Sequence, residues 1–176
     1  MSSVEQLAAS RPRVFLSLTS PGRPAQEAFV ASLMSAIASH DMTPVRVTGG
    51  RQLSAPLEPV RQIMKTCQGT IVIAMARNHV VEGVDYAGGE VGRRYRDRYL
   101  TTEWVQIESA LAYQLEHPIL VLREDLVHPS GLLDPAASGF AVCTFSLQRS
   151  PTHDVARIGQ GLMAFRARLR ERHAPS

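Results

Sequence analysis

The chain has 176 residues and a formal charge of +3, with 44% hydrophobic and 20% charged residues. That suits one globular domain with a real core and excludes disorder over most of its length. A charge this mild, 19 Lys plus Arg against 16 Asp plus Glu, does not by itself imply nucleic-acid binding.

In chain order, the pattern predicts an extension over residues 1–12, one α/β domain over 13–172 and a tail over 173–176. The first predicted strand is Arg13 to Leu18 (RVFLSL), followed by a turn-rich TSPGRP and a helix from Ala25 to Ser39. Phe29, Val30, Leu33, Met34 and Ile37 form that helix's apolar stripe. A second strand, Pro44 to Val47, leads through TGGRQLSAP into a helix on which Leu57, Val60, Met64 and Cys67 recur at helical spacing. The third strand, Thr70 to Ala76 (TIVIAMA), is apolar throughout, as a strand covered on both faces should be. Arg77 to Leu100 then reads as a long connection bearing Arg93, Arg94, Arg96 and Arg98, and a loop of that length is usually functional. A helix from Thr102 to Glu116, a strand Ile119 to Leu122, a strand Ala141 to Leu147 and a closing helix from His153 to Arg172 complete the chain. The alternation predicts a flavodoxin-like α/β domain, five parallel strands with helices on both faces.

Other classes find no support. No apolar run approaches the roughly 20 residues a spanning helix needs, and the start MSSVEQLAAS lacks the regions of a signal peptide, so the expectation is a cytoplasmic protein with no membrane partner. Cys67 and Cys143 lie far apart with no nearby ligand, and His79, His117, His128 and His153 lack metal-ligand spacing. No metal is expected. Ser17, Ser20 and Ser54 carry no nucleophile motif, so a hydrolase triad is not supported.

In a doubly wound sheet, ligands bind beyond the carboxyl ends of the strands, where the strand order reverses. The segments 19–23, 48–56 and 77–100 converge there. The helix after the long connection puts Trp104, Ile107, Leu111 and Leu115 on one face with Glu108 inside it. A glutamate in an apolar stripe must be paired or must line a cleft, and an ion pair to one of the loop arginines is the structural alternative. Arg94, Arg96 and Tyr95 in GGEVGRRYRDRY are candidates for phosphate contact and base stacking, against a solvated basic loop or a subunit contact. The arginines of the terminal FRARLRER read as a solvated helix face.

The segment EWVQIESALAYQLEHPILVL resembles the third helix and fourth strand of TIR (Toll/interleukin-1 receptor) domains that cleave NAD, in which a tryptophan precedes the catalytic glutamate by one helical turn. Here those positions are Trp104 and Glu108. VFLSL is similar to the first strand of TIR domains, and the element order agrees over residues 13 to 125. The stretch ESALAYQLEHPILVL also resembles the nucleoside deoxyribosyltransferase-like superfamily and nucleotide N-glycosidases, which share a related fold. The TIR resemblance implies Glu108 as catalytic carboxylate with Trp104 beside it; Thr19, Ser20 and Arg23 after the first strand, and Arg94, Tyr95 and Arg96 in the long connection, are candidate substrate contacts from their position and chemistry. It further implies NAD as substrate with no separate cofactor, release of nicotinamide with ADP-ribose-type products, self-assembly or an activating partner, and a role in prokaryotic immune defence. The alternatives are a deoxyribosyltransferase-like or nucleoside monophosphate N-glycosidase activity, and a non-catalytic module that binds a nucleotide or assembles with itself. The arginine placement favours an anionic nucleotide over a nucleic-acid duplex.

Overall fold

A computed structural model describes residues 11–18, 20–47, 57–148 and 151–172. Strands β1 (Arg13–Leu18), β2 (Thr43–Val45), β3 (Gly69–Ala74), β6 (Ile119–Glu124) and β7 (Ala141–Phe145) form one parallel sheet in the order β2-β1-β3-β6-β7. This is the expected doubly wound α/β domain. The order reverses between β1 and β3, and it is at the carboxyl ends of strands flanking such a reversal that open α/β sheets bind ligands.

Alternation along the strands sorts the core into two layers. Val14, Leu16, Ile71, Ile73, Leu120 and Leu122 face helices α1 (Pro24–Ser39) and α5 (Pro151–Arg172), meeting Phe29, Leu33, Ile37, Leu162 and Phe165. Phe15, Val72, Ala74, Ile119 and Val121 face the other way, onto α2 (Leu57–Lys65) and α3 (Glu103–Gln114). Gly69 is required where α5 crosses the start of β3, because a Cβ there would lie 2.6 Å from Leu169 Cδ2 and 2.9 Å from Phe165 Cζ. A short helix α4 (Pro135–Ser138), capped by the Asp134 side chain on the Ala136 N–H, precedes β7.

Three expectations are corrected. Residues 77–100 are not a loop: they form an antiparallel hairpin of β4 (Asn78–Asp85) and β5 (Arg93–Leu100), a second, two-stranded sheet that touches the rest of the chain through a bridge from Tyr99 to Val127. The alternation of Val and Tyr with charged residues is that of a two-stranded ribbon, and the run of arginines masked it. On α3 the buried positions are Val105, Ser109 and Ala112, not the stripe of Trp104, Ile107 and Leu111. These smaller residues let the helix lie close to the sheet and leave the bulky ones on its flank. Leu57, expected in the core, is 48% exposed. Among the described residues, no helix is long and apolar enough to cross a membrane.

Candidate functional site

The rotation of α3 decides the surroundings of Glu108. With Val105, Ser109 and Ala112 turned to the sheet, Glu108 lies half-buried beside β1, one turn after Trp104, which is 41% exposed. Ser17 shares the strand face of Phe15 and so points toward α3. Its hydroxyl is fully buried and finds no hydrogen-bond partner, yet it lies near enough to Glu108 to favour the carboxylate form. The two groups face one another without closing a hydrogen bond. Burial is the stronger influence and pushes the Glu108 carboxyl above the usual glutamate range, while Ser17 pulls the other way.

Among the described residues, no arginine acts on Glu108. Only burial and Ser17 perturb it, and among the described residues it enters no ion pair. The ion-pair alternative raised for this position is therefore set aside. Glu108 is thus a partly desolvated carboxyl with no cation partner among the described residues, at the switch point of the sheet and one turn from an exposed tryptophan.

A second carboxylate at the same edge is fully occupied. Glu124, at the end of β6, is 0% exposed. It accepts from the Arg23 guanidinium, from Gln26 Nε2 at 3.2 Å and from the Ala76 N–H at 2.8 Å. Gln26 continues the network, donating to the Ala76 carbonyl at 3.0 Å and accepting from the Gly22 N–H at 3.0 Å. The turn after β1 is thus tied to the ends of β3 and β6. Ser20 belongs to this turn, its carbonyl accepting from Arg77 Nη1 at 3.4 Å. Sequence reasoning missed Glu124 and Gln26; the available signal was a glutamate closing the strand ILVLRE, whose first four residues are apolar.

The candidate contacts divide accordingly. Glu108 and Trp104 share one flank of α3; Arg23 lies at the same sheet edge but is held by Glu124. Thr19 and the segment 48–56 lie outside the described residues. Arg94 and Arg96 are 82% and 75% exposed on β5, each 3.6 Å from Glu82 Oε1. Tyr95 lies across Gly83, where a Cβ would come within 2.3 Å of its ring, and under Arg98, whose guanidinium sits 3.6 Å from the ring centroid. Arg98 also grips Asp85 at 3.1 Å. Asp97, with φ of 52°, interrupts the alternation of β5 and turns Arg98 to the face of Tyr95. Arg94, Arg96 and Arg98 are engaged with the hairpin's own carboxylates. Two open cavities of about 530 and 540 Å³ both lie at the amino edge of the sheet, away from Glu108. Among the described residues, no group of three or more His, Cys, Asp or Glu side chains is placed to hold a metal ion.

No protein-family model matches the chain, and no curated protein does. Among solved structures, the fold is similar to that of a CMP N-glycosidase, BcmB, from Clostridium botulinum, with a TM-score of 0.50 and 12% identity over 87% of this chain and 98% of that one. A diflavin flavoprotein A3 from Nostoc sp. aligns with a TM-score of 0.48 and 12% identity, covering 92% of this chain and 96% of that one. The esterase domain of a Rhodothermus marinus protein gives 0.42 and 16%, covering 92% and 89%. At such identity the first likeness bears on fold, and it agrees with the sheet order above.

Proposed function

We propose that the protein cleaves the N-glycosidic bond of a nucleotide, with Glu108 as the catalytic carboxylate. The observation that carries this reading is the juxtaposition of Glu108 with the unpartnered Ser17 hydroxyl at the switch point, with no cation among the described residues spent on it. Such bonds break through an oxocarbenium-like transition state, in which positive charge develops on the ribose. A carboxylate stripped of part of its water stabilises that charge more strongly than an exposed one. One Glu108 oxygen can then bond to the anomeric carbon as the C–N bond pair leaves with the base, and water hydrolyses the resulting ester.

NAD is the leading substrate. Its nicotinamide is cationic while bound and departs neutral, so no general acid is required; the neighbouring Glu124 is committed to Arg23, Gln26 and Ala76 and supplies none. The Trp104–Glu108 spacing similar to that of NAD-cleaving TIR domains supports the same substrate, and with it a role in immune defence. A nucleoside monophosphate is the second reading, favoured by the similarity to a CMP N-glycosidase.

The test is chromatography of nicotinamide or free base after incubation with NAD and with a nucleoside monophosphate panel. Wild type is expected to release product, most from NAD, and Glu108→Gln none above background. Equal traces from both proteins on every substrate, at high protein concentration as well, overturn the enzyme reading and leave a nucleotide-binding or self-assembling module.

A further inference from the structure

At the amino edge of the sheet, on the side away from Glu108, a cavity of about 530 Å³ lies between the end of α3, the start of β6 and the last turns of α5. That volume is in the range of small-molecule sites. One wall is aromatic: the Tyr113 and Phe140 rings meet at 6.1 Å between centroids in a tilted contact, and Tyr113 is 67% exposed, leaving a ring face free. Pro118 and Ile119 extend the apolar surface. At Gly139 nothing approaches within 4 Å of where a Cβ would stand, so the rim is open there.

The charged group of this cavity is Arg168. Its Nη2 donates to the Ile119 carbonyl at 3.3 Å, while its Nε is buried and has no partner. No carboxylate pairs with it among the described residues; the cavity's own acid, Glu116, is engaged by Arg172 at 3.2 Å. His117 adds no charge near neutrality, because burial, aided by Arg172, pushes it down to about 4. Its Nδ1 is taken by Thr70 Oγ1 at 2.9 Å. A half-buried guanidinium with no carboxylate partner among the described residues is electrostatically incomplete, and its planar fork matches a carboxylate.

We propose that this cavity is a second ligand site, independent of Glu108, which takes a small aromatic carboxylate: the carboxylate against Arg168 and the ring against Tyr113 and Phe140. The test uses benzoate as probe and benzamide as its neutral counterpart, followed by NMR titration of the full chain. Benzoate is expected to shift Tyr113 and Phe140 resonances saturably and to bind at least tenfold more tightly than benzamide. Arg168→Gln should remove that preference. Because Arg168 also holds the Ile119 carbonyl, Tyr113→Ala, at an exposed position, provides a second variant, expected to weaken benzoate severalfold with Arg168 intact. Equal binding of benzoate and benzamide, benzoate binding undiminished in both variants, no saturable shift, or shifts confined to Trp104 and its neighbours would each overturn the assignment.

Discussion

Ser17 and Glu108 face each other where β1 meets α3, a buried hydroxyl without a partner beside a carboxyl without a cation. Neither group lowers the energy of the fold by being there. Burying an ionisable group unpaired costs stability, and sites that keep one are candidates for chemistry.

The first prediction separates stability from activity at Glu108. Its folded pKa is raised, so the native state holds the proton to higher pH than the unfolded chain does, and stability declines as pH rises from the ordinary glutamate value through the raised one. Glu108→Gln is neutral at every pH and escapes that decline. Thermal unfolding at pH 7 is therefore expected to show Glu108→Gln at least as stable as wild type, while glycosidic cleavage is lost. A marked drop in Tm would mean that the carboxylate has a structural role after all.

Ser17→Ala should move the pH profile without abolishing activity. The hydroxyl favours the ionised carboxylate, so its loss raises the Glu108 pKa further. The acid limb of kcat/KM, which requires ionised Glu108, should shift to higher pH, with the plateau less affected. An unmoved limb would show that Ser17 does not act on Glu108.

Glu124 is expected to behave in the opposite way to Glu108. Replacing it with Ala leaves the Ala76 N–H and Gln26 Nε2 without an acceptor and strips Arg23 of its buried partner. Arg23 is half-exposed and can rehydrate, but orphaning a buried donor costs roughly 1–3 kcal/mol; with two donors orphaned, a total of about 3 kcal/mol lowers Tm by roughly 6–12 °C in a domain of this size. Differential scanning calorimetry reads this directly. A Tm within 2 °C of wild type, roughly 1 kcal/mol or less by the same scaling, would show that the network is dispensable.

How far the sequence carried the reading follows from the same residues. Strands such as TIVIAMA and the stripe of Phe29, Leu33 and Ile37 are legible because burial on one or two faces leaves a period in the side chains. The hairpin was not, because Arg94, Arg96 and Arg98, held by Glu82 and Asp85 across the strands, crowd the sequence with charge and mask the alternation of Val and Tyr. Glu108 was found as the polar residue in an apolar stripe, though the helix turns its small residues, Ser109 and Ala112, to the sheet. Glu124 was not found, since its partners come from segments about 100 and 48 residues distant in sequence.

The last prediction concerns acid stability at the amino edge. His117 is pushed down to about 4 from an ordinary 6.5, by burial first and then by Arg172. The unfolded chain therefore takes up a proton at higher pH than the folded one, and stability contributed by neutral His117 is present above about 6.5 and lost as pH falls toward 4. Urea unfolding at a series of pH values should show a decline across that window beyond what carboxylate protonation below about pH 5 produces. His117→Asn, which can keep a contact to Thr70 Oγ1 but does not titrate, should flatten the upper part of the decline, between pH 6.5 and 5. Because Arg172 also bonds Glu116 at 3.2 Å, Arg172→Ala should remove a positive charge near His117 and raise its pKa. The decline would then begin at the same pH and end at a higher one, a shift readable by NMR titration of the imidazole; an unchanged imidazole pKa in Arg172→Ala would leave burial as the whole cause.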